Sequence, residues 1–237
     1  MGFWQPDPLE TLAGQADNVE LKVVVPRNDG RSLGINPNRG SARRVYFLDT
    51  PGLDLYRHGV IVRFRDRARR RDDAVVKLRP VVPGRVPGWL RQADRFHMEI
   101  DALPGHAVCS GALKERLGRN DVSRTLAAGR PLTRLLSARQ RKLLAKYSPH
   151  GVRLDDLVVY GPIDVRCHIV KLRGLGRREL TAERWRYPDG SDLLELSTRC
   201  PVDEAAGVAN RVTKALRAYG VAPSSKQPTK TEVALFS

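Results

Sequence analysis

Six short segments of this chain alternate apolar residues with charged or polar ones at a period of two. In the segment 60–67, Val62 and Phe64 alternate with Arg63 and Arg65. A β-strand places successive side chains on opposite faces, so the pattern predicts strands with one apolar face and one charged face. A fold made mostly of sheet is therefore predicted. The six segments are 18–23, 60–67, 76–79, 96–101, 164–169 and 194–197.

Two longer stretches, 110–144 and 203–219, change to helical spacing. In the second, Val208, Val212 and Leu216 recur every four residues, which places them on one side of a helix. Helices that cover the apolar faces of the sheet are predicted, which gives an α+β fold. Stretches rich in glycine and proline are predicted to be loops, at 27–40 and 80–88.

The chain is strongly basic, which narrows the class of its partners. Its 237 residues include 42 Lys and Arg against 26 Asp and Glu, a net charge of +16 that favours anionic partners. Three cysteines without a CxxC pair suit neither a disulfide scaffold nor a zinc site, and they favour a reducing compartment. No stretch reaches the roughly 20 apolar residues of a membrane span, and no secretory signal pattern begins the chain. We therefore predict a cytoplasmic protein without a membrane partner.

The charged strand faces admit two interpretations. On an open sheet they face water, whereas in a closed barrel they converge on one interior. Two like charges about 6 Å apart repel by about 3 kcal/mol at an effective dielectric constant of about 20, so a closed barrel needs an anion nearby. The cations concerned are Arg63, Arg65, Lys77, Arg79 and Arg166.

Carboxylates are predicted on the same faces as these cations. They either neutralise the cations or hold a hard divalent cation, Mg²⁺ or Mn²⁺, through oxygen ligands. Basic groups beside a carboxylate-bound metal are the parts that phosphoryl transfer requires, and a triphosphate is the expected ligand. The acids are Glu20, Glu99, Asp101, Glu183 and Glu195.

The series of strands resembles the CYTH superfamily, which joins class IV adenylyl cyclases with thiamine triphosphatases and inorganic triphosphatases. The resemblance covers residues 16–235 and implies an eight-stranded antiparallel β-barrel around a tunnel, with helices packed outside. One domain at 16–237 would follow an N-terminal extension at 1–15 and contain a helical segment at about 110–147. A monomer or homodimer is expected. The matching motifs are VELK at 19–22, YFLDTP at 46–51, VRFR at 62–65, VKLR at 76–79, HMEID at 97–101 and LE at 194–195.

Two acidic motifs of the superfamily fall on the first and middle strands. The opening motif matches Asn18, Glu20 and Lys22, with an amide in place of its first glutamate. The resemblance implies that Glu20 and Lys22 are catalytic and that Glu20 also binds the metal. Glu99 and Asp101 match the last two acids of the second motif and are implied metal ligands.

A later acidic strand pair completes the implied metal site. It falls on Glu183 and Glu195, and Ser197 stands where a further acid is often found. Asp49 is instead predicted to cap the turn that follows it. The implied phosphate ligands are Arg63, Arg65, Lys77, Arg79, Arg166 and Lys230, and Lys226 competes with Lys230 for the last of these roles.

Four functions compete at this level. A metal-dependent triphosphatase ranks first, and an adenylate cyclase that makes cyclic AMP from ATP would use the same parts. A non-catalytic module that binds a triphosphate or polyphosphate is motivated by Asn18 and Ser197 at acidic positions. Nucleic-acid binding by the basic surface is disfavoured, because acids are interleaved on the same strands and few aromatics accompany the cations.

Overall fold

The structure, a computed structural model, describes residues 2–4, 16–36 and 39–236. Within these residues nine strands form one closed barrel, with the neighbour order β1-β5-β6-β4-β3-β2-β7-β8-β9. The strands are β1 (Asn18–Val25), β2 (Ser41–Asp49), β3 (Val60–Arg67), β4 (Asp73–Leu78), β5 (Phe96–Leu103), β6 (His106–Arg116), β7 (Val158–Val170), β8 (Leu180–Arg186) and β9 (Asp192–Cys200).

Short helices connect the strands, and longer ones cover the outside of the barrel. The α-helices are α1 (Asp29–Ser32), α2 (Asp54–Arg57), α3 (Gly88–Arg91), α4 (Asp121–Ala127), α5 (Ala138–Tyr147), α6 (Ala205–Ala218) and α7 (Lys230–Phe236). The 3₁₀ helices are Pro83–Arg85, Leu132–Leu135 and Leu154–Asp156. Helix α6 contacts β1, while α4 and α5 contact β3 and β4. Among the described residues, no helix combines the length and apolar character that crossing a bilayer requires.

The predicted closed barrel with external helices is confirmed, but the predicted eight antiparallel strands are wrong. The described residues form nine strands, and β1 pairs in parallel with β5 through residues 18–21 and 99–102. Directions cannot alternate all the way around a closed ring with an odd number of strands, so one parallel pair is required. The indole Nε1 of Trp4 lies at the end of this pair and donates to the carbonyl oxygens of Lys22 and Ala102, at 3.1 and 3.0 Å.

The prediction of a helical segment at 110–147 is wrong in its first part, which belongs to strand β6. The chain is a strand through Arg116, and the first helix begins at Asp121. Many residues of this strand are small, so its sequence shows no clear alternation between an apolar and a polar face. Gly111 shows why one of them must be small, because a Cβ there would lie 2.6 Å from the ring of Phe96. The other predicted helix, at 203–219, is confirmed as α6.

The alternation predicted for β1, β3, β4, β5 and β9 is confirmed. Their apolar residues pack outward beneath α6 or beneath α4 and α5, as Leu21 and Val62 do. Their charged residues face the interior. A third apolar cluster, which includes Phe47, Trp185 and Leu235, fills the barrel at the α7 end.

Strand β7 has the opposite polarity from the prediction. Val165 packs within the third cluster and Cys167 contacts Arg43, so these two side chains face inward. Asp164 and Arg166 lie on the outer wall and are exposed. At these positions the outside of the barrel is open to water. The charged face of β7 therefore lies outside, and its apolar face lies in the interior.

Most of the predicted N-terminal extension, 1–15, lies outside the described residues, and its separation from a single domain at 16–237 stays a prediction. Residues 2–4 pack against the barrel, and Trp4 is buried beside α6. The capping role predicted for Asp49 is confirmed. Its carboxylate accepts hydrogen bonds from the backbone N–H groups of Thr50, Leu55 and Tyr56, at 2.8 to 2.9 Å.

Candidate functional site

Three carboxylates from adjacent strands meet inside the barrel. The parallel register pairs Glu20 of β1 with Asp101 of β5, and Asn18 with Glu99. One oxygen from each of Glu20, Glu99 and Asp101 lies within 4.8 Å of the other two. We call these three residues the carboxylate cluster. Carboxylate oxygens at this spacing are the ligand type that Mg²⁺ and Mn²⁺ prefer.

Cations already surround the carboxylate cluster. Lys22 Nζ lies 2.5 Å from Asp101 Oδ1 and 2.8 Å from Glu20 Oε2. Lys77 Nζ lies 2.8 Å from Asp101 Oδ2 and 3.2 Å from Glu99 Oε1. Each of the three acids is thus matched by at least one cation. Longer contacts complete the arrangement, from Arg79 to Asp101 at 3.6 Å and from Arg199 to Glu20 and Glu99 at 3.3 and 3.2 Å.

These contacts outweigh the cost of burial for the carboxylates. Burial raises the pKa of Glu20, but the charges of Lys22 and Arg199 outweigh it and lower that pKa to about 2. The pKa of Asp101 is likewise held well below its usual value by Lys22 and Lys77 against burial. Burial lowers the pKa of Lys22, yet Asp101 and Glu20 raise it overall. Glu20 and Asp101 therefore carry charge at neutral pH, as metal ligands must.

One oxygen of the carboxylate cluster still has acceptor capacity. Asp101 Oδ2 is buried and accepts no hydrogen bond of good geometry from the described residues, although Lys77 and Arg79 lie near it. A buried acceptor oxygen without a well-aligned hydrogen-bond donor is available to bind a cation. The donor set therefore fits a hard divalent ion, with Lys22 between two of its ligands.

A second group, on β3, β4 and β6, is dominated by cations. We call Arg63, Arg65, Arg67 and Lys114 the arginine cluster; their nearest acid is Asp73. Arg65 Nε lies 2.7 Å from its carboxylate, Arg67 Nη1 3.4 Å and Lys114 Nζ 3.9 Å. Arg63 has no ion pair with any described residue, and its buried Nε has no hydrogen-bond partner among them.

Burial and neighbouring positive charge destabilise the charged forms of Arg63 and Lys114. Burial, together with the charge of Arg65, lowers the pKa of Arg63 to about 10. The same two effects lower the pKa of Lys114 to about 8. Asp73 offsets them only in part. The arginine cluster is thus suited to binding an anion, because added negative charge removes the repulsion.

Lys230, at the start of α7, joins two further acids near the middle of the barrel. Its Nζ lies 2.7 Å from Glu183 Oε2 and 2.6 Å from Glu195 Oε1, and Glu183 also contacts Arg43. Burial raises the pKa of Glu195, and Lys230 offsets this only in part. The predicted metal ligands thus separate into the carboxylate cluster and this Lys230-bridged pair.

Five of the six predicted phosphate ligands lie in the interior network. Four of them, Arg63, Arg65, Lys77 and Arg79, belong to the two clusters or contact them, and Lys230 bridges its own pair of acids. The sixth, Arg166, does not join them. It lies on the outer wall beside a cleft of about 510 Å³, which Arg44, Arg184 and Arg186 also line. Lys226, the competitor for the role of Lys230, makes no contact in this network among the described residues.

Sequence reasoning missed several members of the network. Arg199 follows Glu195 and Ser197 at a spacing of two on β9, so the alternation rule could have found it. Arg43 could not be chosen over its neighbour Arg44 without the register of β2. Arg67 belonged to a recognised alternating face but was not assigned a role. Asp73 is the first residue of β4, where alternation is short, and Lys114 lies in the part of β6 that was predicted to be helical.

Two solved structures share this fold. A Hippeastrum protein provisionally named an adenylyl cyclase, whose dominant activity is that of a triphosphatase, has 16% identity and a TM-score of 0.61 over 91% of this chain and 94% of its own. A Bacillus halodurans protein provisionally named an adenylate cyclase has 12% identity and a TM-score of 0.59 over 91% and 97%. No protein-family model and no curated protein matches the chain. The likeness confirms the predicted CYTH resemblance at the level of the fold.

Proposed function

We propose that this barrel, which shares its fold with the CYTH proteins it resembles, binds a triphosphate together with Mg²⁺ or Mn²⁺ and hydrolyses it. The observation that carries the proposal is Arg63, a half-buried residue that forms no ion pair with a described residue and whose buried Nε has no hydrogen-bond partner among them. It lies among other cations, in the same interior as three carboxylates spaced for a divalent ion.

The charge balance of the interior supports an anionic ligand of this size. Nine cations form ion pairs with six carboxylates there, and Arg63 adds a tenth positive charge. The excess of four positive charges favours a polyanion such as a triphosphate, which carries about four negative charges near neutral pH, and a divalent ion bound with it would add two more positive charges. The cations are Lys22, Arg43, Arg65, Arg67, Lys77, Arg79, Lys114, Arg199 and Lys230, and the acids are Glu20, Asp73, Glu99, Asp101, Glu183 and Glu195.

The arginine cluster would hold the phosphate oxygens by charge-assisted hydrogen bonds, each worth about 1.5–3 kcal/mol. Arg63 has free donors for this, whereas Arg65 would share its guanidinium with Asp73. Lys77 and Arg79 lie between the two clusters, where both a phosphate and Asp101 are within reach. This arrangement places one end of the ligand against arginines and the other against carboxylates.

Glu20, Glu99 and Asp101 would hold the divalent cation, which neutralises charge on the transferred phosphoryl group when bound. Glu20, with a pKa of about 2, is too weak a base to accept a proton efficiently near neutral pH. Its role as a predicted catalytic residue is therefore that of a charged ligand. Lys22 stays protonated and fixes the positions of Glu20 and Asp101. Catalysis then depends on positioning and charge stabilisation, as in other phosphoryl transfers.

One observation favours a second function, anion binding without turnover. Each member of the carboxylate cluster already has a Lys or Arg nitrogen within 3.2 Å, so a metal must compete with Lys22 or Lys77. A protein that used these lysines in place of the metal would bind triphosphates but would lack the ion that activates them.

The experiment is a phosphate-release assay on inorganic triphosphate, thiamine triphosphate and ATP, with Mg²⁺ or Mn²⁺. We expect metal-dependent release that Lys77→Ala abolishes. Lys171→Ala is the matched control, because Lys171 pairs with Glu179 on the surface. Thermal denaturation of each variant checks that it is folded.

The outcomes separate the candidates. A rise in Tm with triphosphate but no phosphate release would establish the binder. Cyclic AMP from ATP would establish the cyclase that the name of the Bacillus halodurans neighbour suggests. Neither stabilisation nor turnover with any of the three anions would overturn the proposal.

A further inference from the structure

Nearly half of the net positive charge of this chain lies in one helical segment outside the barrel. Residues 117–147 contain eight cationic residues and one acidic residue, which is seven of the sixteen net positive charges. The cations are Arg119, Arg124, Arg130, Arg134, Arg139, Arg141, Lys142 and Lys146, and we call them the basic helical surface.

Every residue of the basic helical surface is exposed, and none forms an ion pair with a described residue. The one acid of the segment, Asp121, accepts a hydrogen bond from the backbone N–H of Gly118. Some surface cations elsewhere have acidic partners, as in Arg95 with Glu115, whereas others, such as Arg177 and Arg211, form no ion pair with a described residue. What distinguishes this segment is its density of one sign of charge, eight cations against one acid in 31 residues, whereas an ordinary solvated face mixes both signs.

The apolar side of the segment packs on the barrel, which turns the cations outward. Leu143 and Leu144 of α5 are buried, and the amide of Gln140 donates to the carbonyl oxygens of Ala74 and Leu113 at 3.1 Å. These contacts hold α5 against the outer faces of β4 and β6. The basic helical surface is therefore separated from the barrel interior by the sheet itself.

Helix α5 arranges three of the cations in a row. Arg139, Lys142 and Lys146 are three and four residues apart, which places them on one face over about 10 Å. Lys142 Nζ lies 4.6 Å from the centre of the Trp89 ring, a cation–π contact that limits its motion. A row of cations without ion pairs matches a polymer with regularly spaced negative charges.

We propose that the basic helical surface binds the phosphodiester backbone of a nucleic acid, independently of the interior site. An anionic membrane fits less well, because the large apolar residues of this segment are buried or half-buried. The large hydrophobic side chains that the described residues expose lie outside the segment, at Val82, Val158, Val159, Ile169 and Phe236. Backbone contacts by Lys and Arg give affinity without sequence preference.

The test is the salt dependence of binding to a fluorescent DNA duplex of about 20 base pairs, measured by anisotropy between about 50 and 200 mM salt. The variant carries Arg139→Gln, Lys142→Gln and Lys146→Gln. Its matched control carries Arg177→Gln, Arg211→Gln and Lys214→Gln, which removes three exposed charges elsewhere. Glutamine keeps the helix propensity of the replaced residues. Thermal denaturation verifies that both variants fold.

We expect the slope of log K against log salt to fall by about 2 to 3 in the variant and to stay near the wild-type value in the control, since each lost phosphate contact contributes about 0.9. Lys77→Ala should bind the duplex like wild type, so failure of the interior site leaves this result unchanged. Equal losses in variant and control, or binding to anionic vesicles but not to the duplex, would overturn the proposal.

Discussion

The carboxylate cluster and the arginine cluster lie in one interior but differ in their charge balance. Around the first, three acids meet Lys22, Lys77, Arg79 and Arg199, and each acid has at least one close cation. In the second, three of the four cations share Asp73, and Arg63 forms no ion pair with a described residue. Matched charges hold the first region in place without a ligand, whereas the unmatched cations of the second need an anion to remove their repulsion. The two regions should therefore respond in opposite ways to loss of charge.

Asp101→Asn tests the matched region and should have the largest effect. The Asp101 side chain is 0% exposed and lies against Lys22, Lys77 and Arg79. Asparagine keeps its shape but removes the charge that balances them. We expect the free energy of unfolding to fall by about 3–5 kcal/mol, measured by urea denaturation.

Asp155→Asn is the control, because Asp155 forms an exposed pair with Arg153 at 3.5 Å. Its change should stay below about 0.5 kcal/mol. If the two variants lost similar stability, the ion pairs of the carboxylate cluster would not be what holds this region together.

Arg63→Gln tests the unmatched region, where removing a charge should not destabilise the fold. We expect an unchanged or higher free energy of unfolding. Affinity for inorganic triphosphate should fall at least about tenfold, since a charged hydrogen bond is worth about 1.5–3 kcal/mol. Isothermal calorimetry measures the affinity.

Arg166→Gln removes the same charge from the outer wall and should leave the affinity for triphosphate unchanged. Equal losses from Arg63→Gln and Arg166→Gln would mean that the anion responds only to net charge. That result would contradict a specific role for the arginine cluster.

Trp4→Phe tests whether a contact outside the barrel interior stabilises the strands that carry the carboxylate cluster. Trp4 Nε1 donates to the carbonyl oxygens of Lys22 and Ala102, which belong to the two strands that carry the carboxylate cluster. Phenylalanine removes this donor and should cost about 1 kcal/mol of unfolding free energy. Affinity of the arginine cluster for triphosphate should not change. Trp89→Phe is the control, and a larger loss from it would contradict a specific role for Trp4.

The smallest expected effect is a proton linkage at Lys114. Burial and the charge of Arg65 lower its pKa to about 8, so Lys114 loses its proton in the free protein as pH rises through that value. A bound phosphate favours the protonated amine and raises this pKa. Triphosphate binding should therefore take up protons between about pH 8 and 10 and weaken as pH rises. Calorimetry in buffers of different ionisation enthalpy detects the uptake.

Lys114→Gln should remove that part of the pH dependence while leaving the rest of the binding curve in place. An unchanged proton uptake in Lys114→Gln would assign the linkage to another group of the interior.

Strand alternation predicted most of the interior charges correctly, because a strand forces neighbouring side chains onto opposite faces. The same rule was wrong for Arg166. It finds two faces but cannot tell which is inside, and on β7 the apolar face turns inward. Strand β6 was missed because its small residues carry too little contrast for a period to be recognised.

The sequence by itself determined that Glu20 and Lys22 share a strand face, as do Arg63 and Arg65, since that depends only on local backbone geometry. Only the tertiary structure decided which faces meet. Lys22 and Asp101 are 79 positions apart and touch because β1 pairs with β5. Long-range strand pairing depends on the closure of the whole barrel, and no local pattern contains that information.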